Sequence, residues 1–423
     1  MRRLRGLLAD TRPLKVPEYR RLFTAQIVTV IGAQLTVVTV PAQIYSMTGS
    51  SAYVGLTGLF GLVPPVIFGL YGGSLADHFD RRRLLTVTTW GLILTSAVFF
   101  ARAALGNTNV WLLLSIFSVQ QAFFGINQPT RSAVLPRIVP ADMLPAANTL
   151  NMTVFTGGAI AGPLVGGALI PLLGFSRLYL VDTLFLFATL WAVISLPPLP
   201  VTVIAGSSPG LRSVIDGFVY LATQPVLLMS FVVDLIAMVF GMPRALIPEM
   251  ADVDFGGPAE GGPAFALLFA AMPIGAFLGG VMSGWVSRVE RQGPAVTVAI
   301  LVWGGAIVGF GVAVALADGL VVPWLGIACV FFAIGGAADT ASAAFRSTML
   351  MTAATDAMRG RLRGVFIVVV AGGPRLADVV HGLVAGELGT AVTTIGGGVP
   401  VIVLTLVATA VSPAFVRYRV PRA

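Results

Sequence analysis

A few ionisable residues sit where the chain is otherwise apolar, and these are the groups able to do chemistry. Asp234 lies halfway along an apolar run at 222–248, Asp339 lies in a run at 322–345, and Arg375, Asp378 and His381 lie in a run at 364–388. Asp182 falls near one end of the run at 178–196. A charge at the centre of a bilayer costs roughly 2.5–3.5 kcal/mol on insertion scales, so such residues face a cavity or a partner. A buried carboxylate suits proton exchange, because burial disfavours its charged form. Asp234 and Asp339 have no charged neighbour in sequence and are the first candidates for ion coupling. Arg375 and Asp378 are three residues apart and share a helix face. They read either as a structural ion pair or as part of a coupling set with His381. Gln34, Gln120 and Gln121, together with Gln26, place amides in apolar runs and read either as cavity lining or as ordinary helix contacts.

Other chemistries lack their residues. Two histidines, His78 and His381, and one cysteine, Cys329, are too few for a metal cluster or a disulfide framework. No serine–histidine–aspartate set appears. The one lysine, Lys15, has no glycine-rich context, which excludes a P-loop and ATP-driven transport by this chain alone. No cofactor, no metal and no enzymatic activity are expected.

The elements that must position these charges span a membrane. Hydrophobic residues make up 57% of the 423, charged residues only 10%, and mean hydropathy is +0.92. A soluble domain carries roughly 25% charge. Apolar runs near 20 residues without strict alternation predict helices rather than barrel strands. Twelve are predicted: 22–46, 52–73, 84–105, 110–127, 149–173, 178–196, 222–248, 263–286, 295–316, 322–345, 364–388 and 392–416. The first is too long for a signal peptide and lacks a small-residue cleavage site, so it reads as an uncleaved helix.

The net charge of +8 rests on arginine. Its placement reads as a topology signal rather than a nucleic-acid surface, and no nucleic-acid partner is expected. The tail, alternate loops and C-terminal tail carry 22 of the 26 Lys and Arg residues, whereas the opposite loops carry only Arg102 and Arg177. The positive-inside rule then predicts two cytoplasmic termini.

The chain also repeats itself. Thr130-Arg131-Ser132-Ala133-Val134-Leu135 after the fourth span parallels Phe345-Arg346-Ser347-Thr348-Met349-Leu350 after the tenth, at an offset of about 215 residues. The expected organisation is a tail at 1–21, a six-helix bundle at 22–196, a Pro- and Gly-rich linker at 197–215, a second six-helix bundle at 216–416 and a tail at 417–423.

Two motifs point to a family. Between the second and third spans stands Gly73-Ser74-Leu75-Ala76-Asp77-His78-Phe79-Asp80-Arg81-Arg82-Arg83. In the fifth span stands Gly158-Ala159-Ile160-Ala161-Gly162-Pro163-Leu164-Val165-Gly166-Gly167. The chain resembles the major facilitator superfamily over essentially its whole length. The first motif is similar to that family's G-x-L-a-D-r-x-G-R-R-x signature, with Asp80 standing where Gly is usual and His78 where a basic residue is usual. The resemblance implies that Gly73, Asp77, Arg81 and Arg82 form a cytoplasmic latch, with Arg359, Arg361 or Arg363 as partners. The bland alternative is a plain positive-inside anchor. The second motif is similar to g-x-x-x-G-P-x-x-G-G, which the family associates with exporters, and implies a bent, closely packed helix at Gly158, Gly162, Pro163, Gly166 and Gly167. Its bland alternative is ordinary glycine packing. Softer matches at Gln128-Pro129-Thr130-Arg131 and Gly372-Gly373-Pro374-Arg375 resemble the branch of the enterobactin exporter and secretion effectors.

The resemblance implies two pseudo-symmetric six-helix bundles with helices 1, 4, 7 and 10 lining a cavity, so that Asp234, Asp339 and the glutamines can face it. It implies a monomeric multi-pass transporter of a bacterial inner membrane. Such a protein would export a small, largely apolar compound, drug-like or siderophore-like, in exchange for protons. The alternative on the same fold is a transporter that flips a lipid or takes up a solute. A membrane receptor or enzyme fits least.

Overall fold

The computed structural model describes residues 10–199, 211–317, 321–353 and 356–419, with some helical side chains within those ranges left undescribed. Among the described residues the secondary structure is helical throughout. In chain order the helices are α1 (Pro17–Thr48), α2 (Ser51–His78), α3 (Arg81–Ala104), α4 (Val110–Ile138), α5 (Leu144–Ile194), α6 (Leu211–Ala222), α7 (Pro225–Phe240), α8 (Pro263–Val281), α9 (Gln292–Ala315), α10 (Val321–Ala353), α11 (Asp356–Leu388) and α12 (Thr390–Val411), with short helical turns between them.

Among the described residues, eleven helical stretches are long and apolar enough to cross a membrane. Lipid offers the backbone no hydrogen bonds, which is why the apolar runs close their own as helices. The longest, α5, is two arms: Gly174 at φ 72°, ψ 167° breaks it in a conformation that favours glycine. Leu172 and Leu94, at 75% and 65% exposure, belong to the apolar exterior that lipid covers.

The helices divide into two compact units. One comprises Met1–Val40 and Val63–Gly210, the other Pro41–Leu62 and Leu211–Ala423. In the first, the glycine face of α5 lies directly on α1. A Cβ added at Gly158 would stand 2.2 Å from Val30 Cγ1, and one at Gly162 would stand 2.2 Å from Gln34 Cβ. At Gly166 the nearest atom would be Leu35 Cδ2 at 3.1 Å. Gly167 and Pro163 are buried beside them. The α2–α3 turn is set by Asp80, whose Oδ1 caps α3 by accepting from the Arg83 amide at 3.0 Å. Its Oδ2 accepts from the Leu199 amide at 3.0 Å and ties the turn to the chain after α5. Asp80 has φ −55°, so this turn does not need glycine.

Three predicted boundaries move. The fourth span continues as α4 to Ile138 and the tenth as α10 to Ala353, so Arg131, Arg137 and Arg346 are helical residues rather than loop anchors. The seventh span stops as α7 at Phe240, because Gly241 and Pro243 interrupt the helix before the turn Arg244–Leu246.

Candidate functional site

In the second unit, α10 presents Asp339, Ser342 and Arg346 at a spacing of three and four residues, which stacks them along one face. Arg346, 5% exposed, ion-pairs with Asp234 of α7, which is fully buried. The Arg346 Nε donates to Ser342 Oγ at 3.2 Å, which fixes the guanidinium plane. Its Nη2 lies 3.9 Å from Asp339 Oδ1. Asp339 keeps 24% of its side chain exposed, against 1% for Asp234. One carboxylate is therefore clamped and dry, while the other is looser and reachable. At Asp339, repulsion from Asp234 offsets part of the attraction to Arg346.

Charge arithmetic sets what the group can do. Two carboxylates and one guanidinium carry a net −1, and one bound proton makes the set neutral. An uncompensated buried charge is strongly unfavourable, so the set has a built-in use for one proton. Leu227, Phe231, Leu350, Leu362 and Val365 form a buried apolar cluster on the same two helices and α11.

The equivalent arginine in the first unit has different partners. Arg131 Nη2 donates to the Leu22 carbonyl at 3.3 Å and to Gln26 Oε1 at 3.2 Å, both on α1. The repeat thus places an arginine against a neutral amide in one unit and against two carboxylates in the other.

The α11 residues have other surroundings. Asp378 is 6% exposed, and its strongest attraction is to Arg244, with Arg375 second. Arg244 also stacks over the Phe269 ring at 5.0 Å. His381 Nε2 lies 3.0 Å from the Phe240 carbonyl at the end of α7, and a Cβ on Gly397 of α12 would meet the same nitrogen at 2.8 Å. The ring therefore wedges three helices of the unit together. Gln34 lies against Gly162 by its stem, Gln120 is buried and Gln121 is partly buried. Arg81 donates to the Ala133 carbonyl at 3.2 Å and Arg82 to the Ile194 carbonyl at 2.5 Å. Gly73 and the side chains of Asp77, Arg359, Arg361 and Arg363 lie outside what the structure describes.

Sequence reasoning missed Arg346 as a site residue because it counted as a loop cation. Its seven-residue spacing from Asp339 was the available signal. It also missed the acidic stretch after α7, where Glu249, Asp252 and Asp254 accept from Ser51, Tyr45 and Thr390.

The model of the transmembrane secretion effector family matches residues 9–419. The chain belongs to this family of major facilitator transporters. It is 27% identical over 382 residues to the enterobactin exporter of Shigella boydii serotype 18, covering 90% of this chain and 87% of that protein. The enterobactin exporter of Escherichia coli O6:K15:H31 matches with the same identity and coverage. Among solved structures, a nucleoside transporter superposes with a TM-score of 0.75 at 12% identity, covering 93% of this chain and 99% of that one. A peptide transporter in complex with alafosfalin does so with a TM-score of 0.75 at 15% identity, covering 95% of each. The transporter is thus an all-helical multi-span membrane protein, not an enzyme, with the fold shared by these carriers.

Proposed function

We propose that the transporter exports a small, largely apolar organic compound, drug-like or siderophore-like, and that protons drive it by alternating access. The observation that carries the coupling is the set of Asp234, Arg346 and Asp339, which is neutral only with one proton bound. Asp339 is the proton carrier, because it is the looser and more exposed carboxylate. Asp234 holds Arg346 in place. Export as the direction is supported by the α5 glycine motif and by the named activity of the enterobactin exporters.

The remaining parts follow the fold. The six-helix halves at 22–196 and 216–416 rock about the linker at 197–215, with both termini in the cytoplasm of a bacterium. Gly73, Asp77, Arg81 and Arg82 latch the cytoplasmic side. Gln34, Gln120 and Gln121 contribute to the substrate path, and Arg375, Asp378 and His381 hold the far end of α11. The working unit is a monomer.

Reconstitution in proteoliposomes tests the reading. With an imposed pH gradient, siderophores, dyes and drugs are screened for uphill movement and counterflow. Substrate accumulation that collapses with a protonophore is expected. Accumulation that ignores the pH gradient, or counterflow with none of these classes, would overturn it.

A further inference from the structure

A second carboxyl group, in the first unit, is not used by that scheme. Asp182 lies on the second arm of α5 and is 2% exposed. Its Oδ2 accepts from Thr36 Oγ1 of α1 at 2.8 Å and from Ser96 Oγ of α3 at 2.9 Å. Ser96 Oγ lies 3.4 Å from the Tyr179 carbonyl. Thr183 Oγ1 donates to that carbonyl at 2.8 Å and stands 3.0 Å from Ser96 Oγ. Oδ1 has no hydrogen-bond partner and points at Gly32 of α1, where an added Cβ would come within 2.6 Å of it.

The charged and titratable groups around it are few. α1 faces it with Gly32 and Thr36, neither of them titratable. From α3 come Ser96 and, further along, Arg102, whose Nη2 donates to the Asn109 carbonyl at 3.1 Å. From α5 itself come Thr183 and Tyr179, and Tyr179 interacts electrostatically with both Arg102 and Asp182. Among the described residues no cation lies within ion-pair distance of Asp182.

A carboxylate so placed would leave a buried charge with neutral partners and one bare oxygen, which is the costly arrangement. The neutral acid fits the same atoms. Oδ2–H donates to Ser96 Oγ, Ser96 and Thr183 both donate to the Tyr179 carbonyl, and Thr36 still donates to Oδ2. Oδ1 is then a carbonyl oxygen rather than half of an anion.

We propose that Asp182 is a proton-binding site of its own, loaded in this conformation and discharged when α1 withdraws Thr36 and Gly32 and admits water. In the discharge the carboxyl O–H bond breaks, the proton passes to water as hydronium, and the electron pair stays on the carboxylate. The proposal stands apart from the export reading and from the set on α7 and α10.

Infrared difference spectroscopy of the protein in lipid, between acidic and alkaline buffer, tests it. A protonated-carboxyl C=O band that disappears in Asp182→Asn but survives in Asp339→Asn is expected. In proteoliposomes, a pH-sensitive dye should record one proton fewer released per cycle by Asp182→Asn. Should Asp182→Asn fail to fold, Ser96→Ala keeps the carboxyl and removes its acceptor, and the band should shift. A wild-type spectrum without a band lost in Asp182→Asn, an unmoved band in Ser96→Ala, or an unchanged proton count would overturn the proposal. A response to sodium ions at fixed pH, in place of the pH response, would overturn it in favour of a sodium site.

Discussion

Replacing Asp339 by Asn is the most direct test of proton coupling at the α7–α10 set. The variant leaves Asp234 and Arg346, a pair that is neutral with no proton bound. The attraction lost between Asp339 and Arg346 at 3.9 Å is about 4 kcal/mol at an effective dielectric constant of ~20. Part of that is offset by repulsion from Asp234, and the variant also removes the burial cost of a carboxylate, so the net loss of stability is expected to be well below the gross attraction. The functional effect is larger. If this set exchanges one proton per cycle, that proton supports about a tenfold substrate gradient for each unit of pH gradient, since one unit corresponds to about 1.36 kcal/mol. Asp339→Asn should therefore lose that factor, about tenfold in accumulation for each unit of pH gradient, and keep only what Asp182 supplies, while downhill counterflow stays within about twofold of wild type. Asp234→Asn should lose coupling by the same arithmetic, because Arg346 then pairs with Asp339. It should also lose about 1–3 kcal/mol of stability from the buried pair. The double variant Asp234→Asn/Arg346→Gln leaves one carboxylate that is neutral only when protonated, so pH-driven accumulation should partly return. The readout is labelled substrate in proteoliposomes at a fixed pH difference. Wild-type accumulation by Asp339→Asn would refute the charge argument and move coupling to Asp378 or Asp182.

Other predictions follow from the packing. Gly162→Ala places a methyl where Gln34 Cβ already stands, and should destabilise by about 1–3 kcal/mol in a thermal-shift assay, whereas alanine at Gly157, which has open space, should be neutral. Arg244→Gln should reduce folded yield at least as much as Arg375→Ala, because Asp378 is held first by Arg244; fluorescence-detected size exclusion compares them. Asp77→Asn should slow transport and shift conformer populations without unfolding, and unchanged populations would remove its latch role. Single cysteines at positions 49 and 290 should label from opposite sides of the membrane, with position 49 inaccessible from the cytoplasm.

The spans and their order were legible because membrane helices advertise themselves by length and composition alone. Helix ends were less so. Arg131 and Arg346 lie beyond the apolar core, where hydropathy falls while the helix continues, so a window that tracks hydropathy stops early. Asp234 and Asp339 were legible as isolated charges in apolar runs, but their meeting through Arg346 depends on how α7 and α10 pack, which no local pattern encodes. The α5 glycines were readable as a close-packing face, and the partner, α1 at Val30 and Gln34, required the fold. Asp80 shows the opposite case: it stands where the resembled motif has glycine, yet its carboxylate caps α3 and anchors Leu199.

The two arginines of the repeat show how a symmetric scaffold can acquire a directional job. Arg131 and Arg346 occupy the same position in the repeated segment, and each reaches across to the first long helix of its own half. On α1 the reach ends at Gln26 and a backbone carbonyl, partners that cannot take up charge, so that contact behaves the same at any pH at which Arg131 stays ionised. On α7 it ends at Asp234, and α10 adds Asp339 two turns before Arg346. A single change of residue type, amide to carboxylate, turns a structural clasp into a group whose net charge depends on one proton. A second carboxylate on the exposed side gives that proton somewhere to sit without breaking the clasp. Because the Arg131–Gln26 clasp holds its geometry regardless of protonation, the response to protons at this repeated position is confined to one half, and that asymmetry is what a carrier needs if binding a proton there is to favour one arrangement of its halves over the other.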